Sequence, residues 1–183
     1  MRHAVDVLVV KDLFKTSLAR LAVLDDRERN VGLERHQLTV GVSERNDILR
    51  NEEFTVDKES VEKRVNMLRE KYGYTEFAGE NVEFHPSGCL TFPLLGTKAK
   101  QEDKLAFDPD RKKRRAFYAD VVETFSDYTV FVGGSSSFDM APMPYNKYYA
   151  LDLYCQENGL QHEEVLFVGD DYGTGGNDES VYL

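Results

Sequence analysis

Cysteine is scarce in this chain: Cys89 and Cys155 are the only two in 183 residues, and no CxxC spacing occurs. That is too few to staple a secreted fold, so a reducing cytoplasm is the expected setting and both are read as packing residues. Positive charge is also short, with 23 Lys and Arg against 33 Asp and Glu and a formal net charge of −10. Such a balance argues against gripping nucleic acid or an anionic membrane over a broad surface. Long apolar runs are missing too. "VDVLVV", near the N-terminus, is interrupted by Asp6 and closed by Lys11, too short for a signal-peptide core or a spanning helix. There is no internal repeat and no low-complexity linker. What remains, at 41% hydrophobic content, can bury the core of one globular domain or two small ones.

Residues 1–50 carry little period, and only short strands are assigned there: "VDVLVV", a stretch near Leu21 to Leu24, and another at Leu38 to Val42. From Val56 the signals sharpen. Asp57 caps a helix whose apolar positions Val61, Val65, Leu68 and Tyr72 recur at helical spacing until Gly73 stops it. "NVEFHPSGCLTFPLL" reads as a hairpin turning at Pro86-Ser87-Gly88. "FDPDRKKRRAFYADVVETF" reads as one helix, with Asp108 as N-cap and Ala116, Phe117, Val121 and Phe125 on one face. "YTVFVGGSSSFDMAP" gives a second hairpin around Gly133-Gly134. Helix, hairpin, helix, hairpin predicts an antiparallel sheet with both helices on one face. After Pro144 the pattern changes: Asn146 opens a helix carrying Tyr149, Leu151, Leu153 and Tyr154 to Gly159, and a buried strand "EVLFVG" follows. That strand must pair with "VDVLVV" or with a second chain in a homodimer.

"VLFVGDDYGTGGNDE" runs this strand into Asp170 and Asp171, a glycine-rich turn, and then Asn177, Asp178 and Glu179. Ligands of α/β sheets sit beyond the carboxyl ends of strands, where these acids fall. Two adjacent carboxylates repel unless a cation compensates, and magnesium takes hard oxygen ligands. The competing reading is a solvated acidic turn. Asn177 is the expected cap of a final helix. Lys147, in the first turn of the preceding helix, can neutralise a phosphoryl group at the same crevice or simply be a surface lysine. Neither nucleotide-binding fingerprint nor the calcium-loop pattern fits "GTGGND". "RKKRR", Arg111 to Arg115, reads as a solvated helix surface diluted by acids. His85 and His162 have no metal-ligand partner at suitable spacing, and Asp108-Pro109-Asp110 is explained as a helix start.

"SFDMAPMPYNKYYAL" followed by "VLFVGDDYGTGGNDESVY" resembles the last two signatures of the haloacid dehalogenase-like phosphohydrolases. More narrowly, it resembles the capped sugar-phosphatase branch that includes the eukaryotic phosphomannomutases, and the likeness extends back through "NVEFHPSGCLTFPLLGTK". The resemblance implies an α/β fold in which an α+β cap domain, residues 51–142, joins a partial Rossmann-like core, residues 143–183, with 1–50 a core remnant. It implies magnesium-dependent phosphoryl transfer on a small phosphate ester, a sugar phosphate by preference. It also assigns roles by position. Lys147 steadies nucleophile and phosphate, Asp170 holds Mg2+ with help from Asp171, and Asn177 and Asp178 close the metal loop. Asp139, in "SFD", lies near the substrate. Where the phosphomannomutases end a strand in "PIGR", this chain has "LLGTK", so Thr97 replaces the arginine and Lys98 is the substrate contact expected beside it.

The family's opening signature, a strand ending in DxDGT, is absent: "VDVLVVKDLFKTS" offers Lys11 and Asp12 instead. Two readings stay open. One is a member or incomplete copy of these phosphatases, with core elements expected beyond the "ND" helix. The other is a catalytically inactive module of the same family that binds a ligand or partner protein.

Overall fold

The computed structural model describes the backbone of residues 6–11, 20–24 and 56–183 apart from 86 and 87, with side chains described from residue 56 onward. The predicted strand at Leu38 to Val42 and the Pro86-Ser87 turn tip lie outside the described residues. Two compact units emerge. One holds strands β1 (Asp6–Lys11) and β2 (Arg20–Leu24) with Asn146–Tyr172 and Asp178–Leu183; the other comprises Glu53–Tyr145 and Gly173–Asn177. Among the described residues no helix is long and apolar enough to cross a membrane.

In the second unit, helix α1 (Lys58–Tyr72) has the expected ends. The Asp57 carboxylate accepts from the Ser60 N–H at 3.0 Å, and Gly73 closes the helix in the left-handed region at φ 75°. Strands β3 (Glu83–Phe84) and β4 (Leu90–Pro93) form the first hairpin, and β5 (Tyr128–Phe131) and β6 (Ser137–Pro142) the second. All pair antiparallel in the order β3-β4-β6-β5, with Thr91 and Phe131 both opposite Asp139. Alternation then sends Leu90, Phe92, Phe138, Met140 and Val130 to one face, where they pack with Val61, Val65 and Leu68 of α1 and with Phe117, Val121 and Phe125. Phe117 stacks on Tyr72 at 4.3 Å and meets Phe138 edge-on at 5.2 Å. Fully burying each such ring contributes about 3 kcal/mol.

The predicted single helix over residues 108–125 is instead broken. A helix with no buried residue, α2 (Gln101–Phe107), precedes it, followed by short α3 (Lys112–Arg115) and then α4 (Tyr118–Thr124). The cause is Asp108, which is not an N-cap but a buried anchor. Its carboxylate accepts from the Lys113 and Arg114 N–H groups at 3.0 and 3.1 Å and from Arg114 Nε at 2.9 Å, while Arg111 bends through φ 60°. The "RKKRR" run is therefore not uniformly solvated, because Arg114 is only 1% exposed. Burial pushes the Asp108 carboxyl up, but the Arg114 and backbone hydrogen bonds outweigh it and hold the carboxyl below the usual range. Asp108 thus has a structural use, but not the helix start expected for Asp108-Pro109-Asp110, since it ends α2 and Arg111 precedes α3.

In the first unit, helix α5 (Lys147–Asn158) opens on Asn146, whose side chain accepts from the Tyr149 N–H at 2.8 Å, and ends at Gly159 with φ 66°. A 3-10 turn at His162–Glu164 leads into β7 (Val165–Val168). As expected, β7 pairs with the N-terminal strand: it runs parallel to β1, with Asp6 opposite Val165 and Val9 opposite Val168, and β2 lies antiparallel on the other side of β1. The expectation of a buried β7 fails. Val165 and Phe167 pack with Leu151 and Cys155, whereas Leu166 and Val168 are 51% and 52% exposed. The α5 side of the strand is covered, and among the described residues no element covers the other. The chain closes with α6 (Glu179–Tyr182).

Candidate active site

The carboxyl end of β7 is organised by Asp178 rather than by the two acids that follow the strand. Asp178 is fully buried, and one carboxylate oxygen accepts from Lys147 Nζ at 2.6 Å. The other oxygen accepts from the backbone N–H groups of Asp170 and Asp171, each at 2.9 Å. The Asp178 N–H donates back to the Asp171 carbonyl at 3.1 Å and closes the turn. Gly169 makes this approach possible, since a Cβ there would lie 2.5 Å from the Asp178 carboxyl carbon. A carboxylate taken out of water loses several kcal/mol of hydration, which an ammonium and two aimed N–H groups offset.

Lys147, the first residue of α5, is 3% exposed. Among the described residues Asp178 is the only partner of its Nζ. An ammonium has three donors, so two N–H bonds are left to point elsewhere. The Asp170 side chain is exposed and that of Asp171 half-buried. Asn177 does not cap α6. Asp178 occupies the N-cap position, and the Asn177 Oδ1 atom is buried with no hydrogen-bond partner among the described residues. Among the described residues no group of three or more His, Cys, Asp and Glu side chains is gathered to hold a metal. The donor at the end of β7 is nevertheless of the kind magnesium takes, an exposed carboxylate on Asp170.

The two remaining candidates belong to the second unit. Asp139 on β6 is 8% exposed, and its Oδ1 accepts from the Thr91 hydroxyl at 2.9 Å. The Thr91 oxygen is in turn 3.0 Å from His85 Nε2, so His85 satisfies a local hydrogen bond. Burial pushes the Asp139 carboxyl up to about 6, against the lowering effects of Thr91, His85 and Arg114. Lys98 is exposed, and it is its backbone that is fixed, the N–H donating to the Ala78 carbonyl at 2.8 Å. Thr97 is occupied in the same loop, its hydroxyl oxygen accepting from the Glu80 N–H at 2.9 Å. Thr91 was not singled out from sequence. Its signal, a polar residue on the face opposite the aromatic core, becomes readable only once the β4-β6 register is known.

The glycine-rich turn is moulded onto neighbouring residues of the second unit. The Val132 N–H donates to the Gly175 carbonyl at 2.7 Å, and Gly175, at φ 73°, would bring a Cβ within 2.8 Å of both the Tyr118 ring and Val132.

A model of the eukaryotic phosphomannomutase family matches residues 76–183, more than half of the chain. The phosphomannomutase of Saccharomyces cerevisiae is 30% identical over 110 residues, 57% of this chain and 42% of that protein. That of Schizosaccharomyces pombe is 33% identical over 110 residues, 57% and 41% respectively. The phosphomannomutase of Encephalitozoon cuniculi aligns over 145 residues at 28% identity, covering 68% of this chain and 55% of that protein. The chain thus spans about half or less of the length of these relatives.

Proposed function

The chain belongs to the eukaryotic phosphomannomutase family, and from that premise we propose that it handles a small phosphorylated sugar by magnesium-dependent phosphoryl chemistry at the carboxyl end of β7. The observation that carries this reading is the buried Lys147 ammonium, fixed by Asp178 with two N–H donors left over. A lysine held this way presents positive charge and two donors to phosphoryl oxygens without reorganising, which is how a site stabilises a dianionic ester. Asp178 aims it, and the same carboxylate holds the Asp170 and Asp171 backbone in place. Asp170 is the proposed magnesium ligand, Asp171 assists directly or through water, and Asn177 and Asp178 close the loop. Magnesium, when bound there, would neutralise phosphoryl oxygens and polarise the phosphorus. Asp139 and Lys98 are proposed substrate contacts on a cap domain formed by residues 51–142. The reading places the protein in the reducing cytoplasm, in keeping with two cysteines that form no disulfide.

A specific observation favours the second reading, a family member that binds phosphosugar without turning it over. β1 runs parallel to β7 and ends in Lys11, two residues past the pair of Val9 with Val168. The resemblance expects a nucleophilic aspartate at the end of this strand, and a lysine cannot form an acyl phosphate. Incubation with a panel of sugar phosphates and Mg2+ separates the two. Phosphate release that disappears in Asp170→Ala supports the enzyme; binding without release supports the inactive module; neither binding nor release by folded protein refutes both.

A further inference from the structure

The "RKKRR" run contains two arginines with different tasks. Arg114 is committed to Asp108, but Arg115 turns to the glycine-rich turn. Its Nε donates to the Thr174 carbonyl at 2.9 Å. Its guanidinium also lies against Gly173, where an added Cβ would come within 2.5 Å of Nη2 and 2.9 Å of Cζ. Around that contact the loop closes on itself, with the Gly176 N–H donating to the Gly173 carbonyl at 2.6 Å, and Gly175 and Gly176 are buried. The Val132 N–H bond to Gly175 and this arginine both tie the loop's carbonyls to the rest of the second unit.

We propose that Arg115 is a positioning residue that holds the Gly173–Asn177 loop, and with it Asn177, in the bend seen here. A three-glycine segment has a large conformational entropy to lose, so its order must come from outside contacts. A charged hydrogen bond to a carbonyl that would otherwise face water, with a planar group resting on a glycine, supplies that restraint. The inference depends on the proposed function only for its meaning in catalysis; the loop's order is measurable without any substrate.

Amide hydrogen exchange on the full chain tests it, comparing the peptide spanning residues 173–177 in wild type, Arg115→Ala, Arg115→Lys and Gly173→Ala. Lys112→Ala, in the same run, is the control. Arg115→Ala should speed exchange of the loop about tenfold, the scale of losing one charge-assisted hydrogen bond, with α1 and the four-stranded sheet as protected as before. Gly173→Ala, which displaces the guanidinium without removing it, should do the same. Arg115→Lys should recover part of the protection, because an ammonium can still donate to Thr174. Loop exchange unchanged in both Arg115→Ala and Gly173→Ala overturns the proposal. Titration of the same proteins with Mg2+ alone keeps the two ideas apart: faster loop exchange with no magnesium uptake even by wild type sinks the functional reading and leaves Arg115's role standing.

Discussion

Each unit buries one cation against one aspartate, and the two pairs are put to different uses. In the second unit Arg114 is bonded through all three of its nitrogens: besides the Asp108 carboxylate and carbonyl it donates to the Gly133 carbonyl, to the Gly134 carbonyl at 3.2 Å and to the Ser137 carbonyl at 3.0 Å, fastening the β5-β6 turn. In the first unit Lys147 reaches Asp178 and, among the described residues, no other acceptor. A buried charge whose donors are taken up by the fold holds that fold together, whereas one with donors to spare is what the phosphoryl role proposed for Lys147 requires. On the proposed reading, the comparison separates structure from function within one chain, using the same two residue classes.

The largest effect should come from breaking the Arg114–Asp108 pair. Arg114→Met leaves Asp108 ionised and buried and strips four carbonyls of a donor, so chemical denaturation should show a loss of about 3–5 kcal/mol. Lys147→Met should cost less, about 2 kcal/mol, because each aspartate keeps two backbone N–H partners but, among the described residues, the Lys147 ammonium donates to no carbonyl whereas Arg114 holds the β5-β6 turn. If the two losses are equal in denaturation curves, the distinction between the pairs fails on the stability side.

Asp139 sharpens the contrast, since it is buried with a hydroxyl rather than a cation for its partner. Its carboxyl titrates near 6 in the folded chain, above the ordinary 3.8, so the folded state binds the proton more tightly than the unfolded one. The stabilising effect of that proton is fully present below pH 3.8 and is lost as pH rises to about 6. Asp139→Asn keeps an oxygen for Thr91 and never ionises. It should be more stable than wild type at pH 7 by about 1–2 kcal/mol, with the advantage vanishing below about pH 4. Thermal melts at both pH values check the sign. The smallest effect belongs to the exposed Lys112–Asp110 pair, 2.7 Å apart. Lys112→Ala should leave the melting midpoint unchanged within error, because solvent screens such pairs.

What could be read in advance followed local physics. Asp57 with Gly73 and Asn146 with Gly159 bracket α1 and α5 because caps are decided within one turn of their own residues. The hairpins were legible for the same reason. The break at residues 108–117 was not, because Asp108 finds its cation six residues later and that cation finds carbonyls in a distant turn. A run of five basic residues gave no sign that the fourth would be buried. Helix α2 gave none either: its N-cap Lys100 makes no side-chain bond, and no residue in it is buried, so it has no apolar stripe to detect. At the candidate site, the residue types at the end of β7 were legible but their wiring was not. Asp178 proved to be the hub, and Asn177, read as a helix cap, has its oxygen buried without a partner among the described residues.

The central claim is that Lys147 holds two donors ready for phosphoryl oxygens. The most direct measurement is calorimetric titration of a hexose phosphate, in the presence of Mg2+, into wild type and into Lys147→Met whose folding has been verified by circular dichroism. Binding by wild type that weakens about tenfold or more in the variant is the predicted result, the scale of losing a charge-assisted contact. Equal affinity in the two proteins would contradict the account.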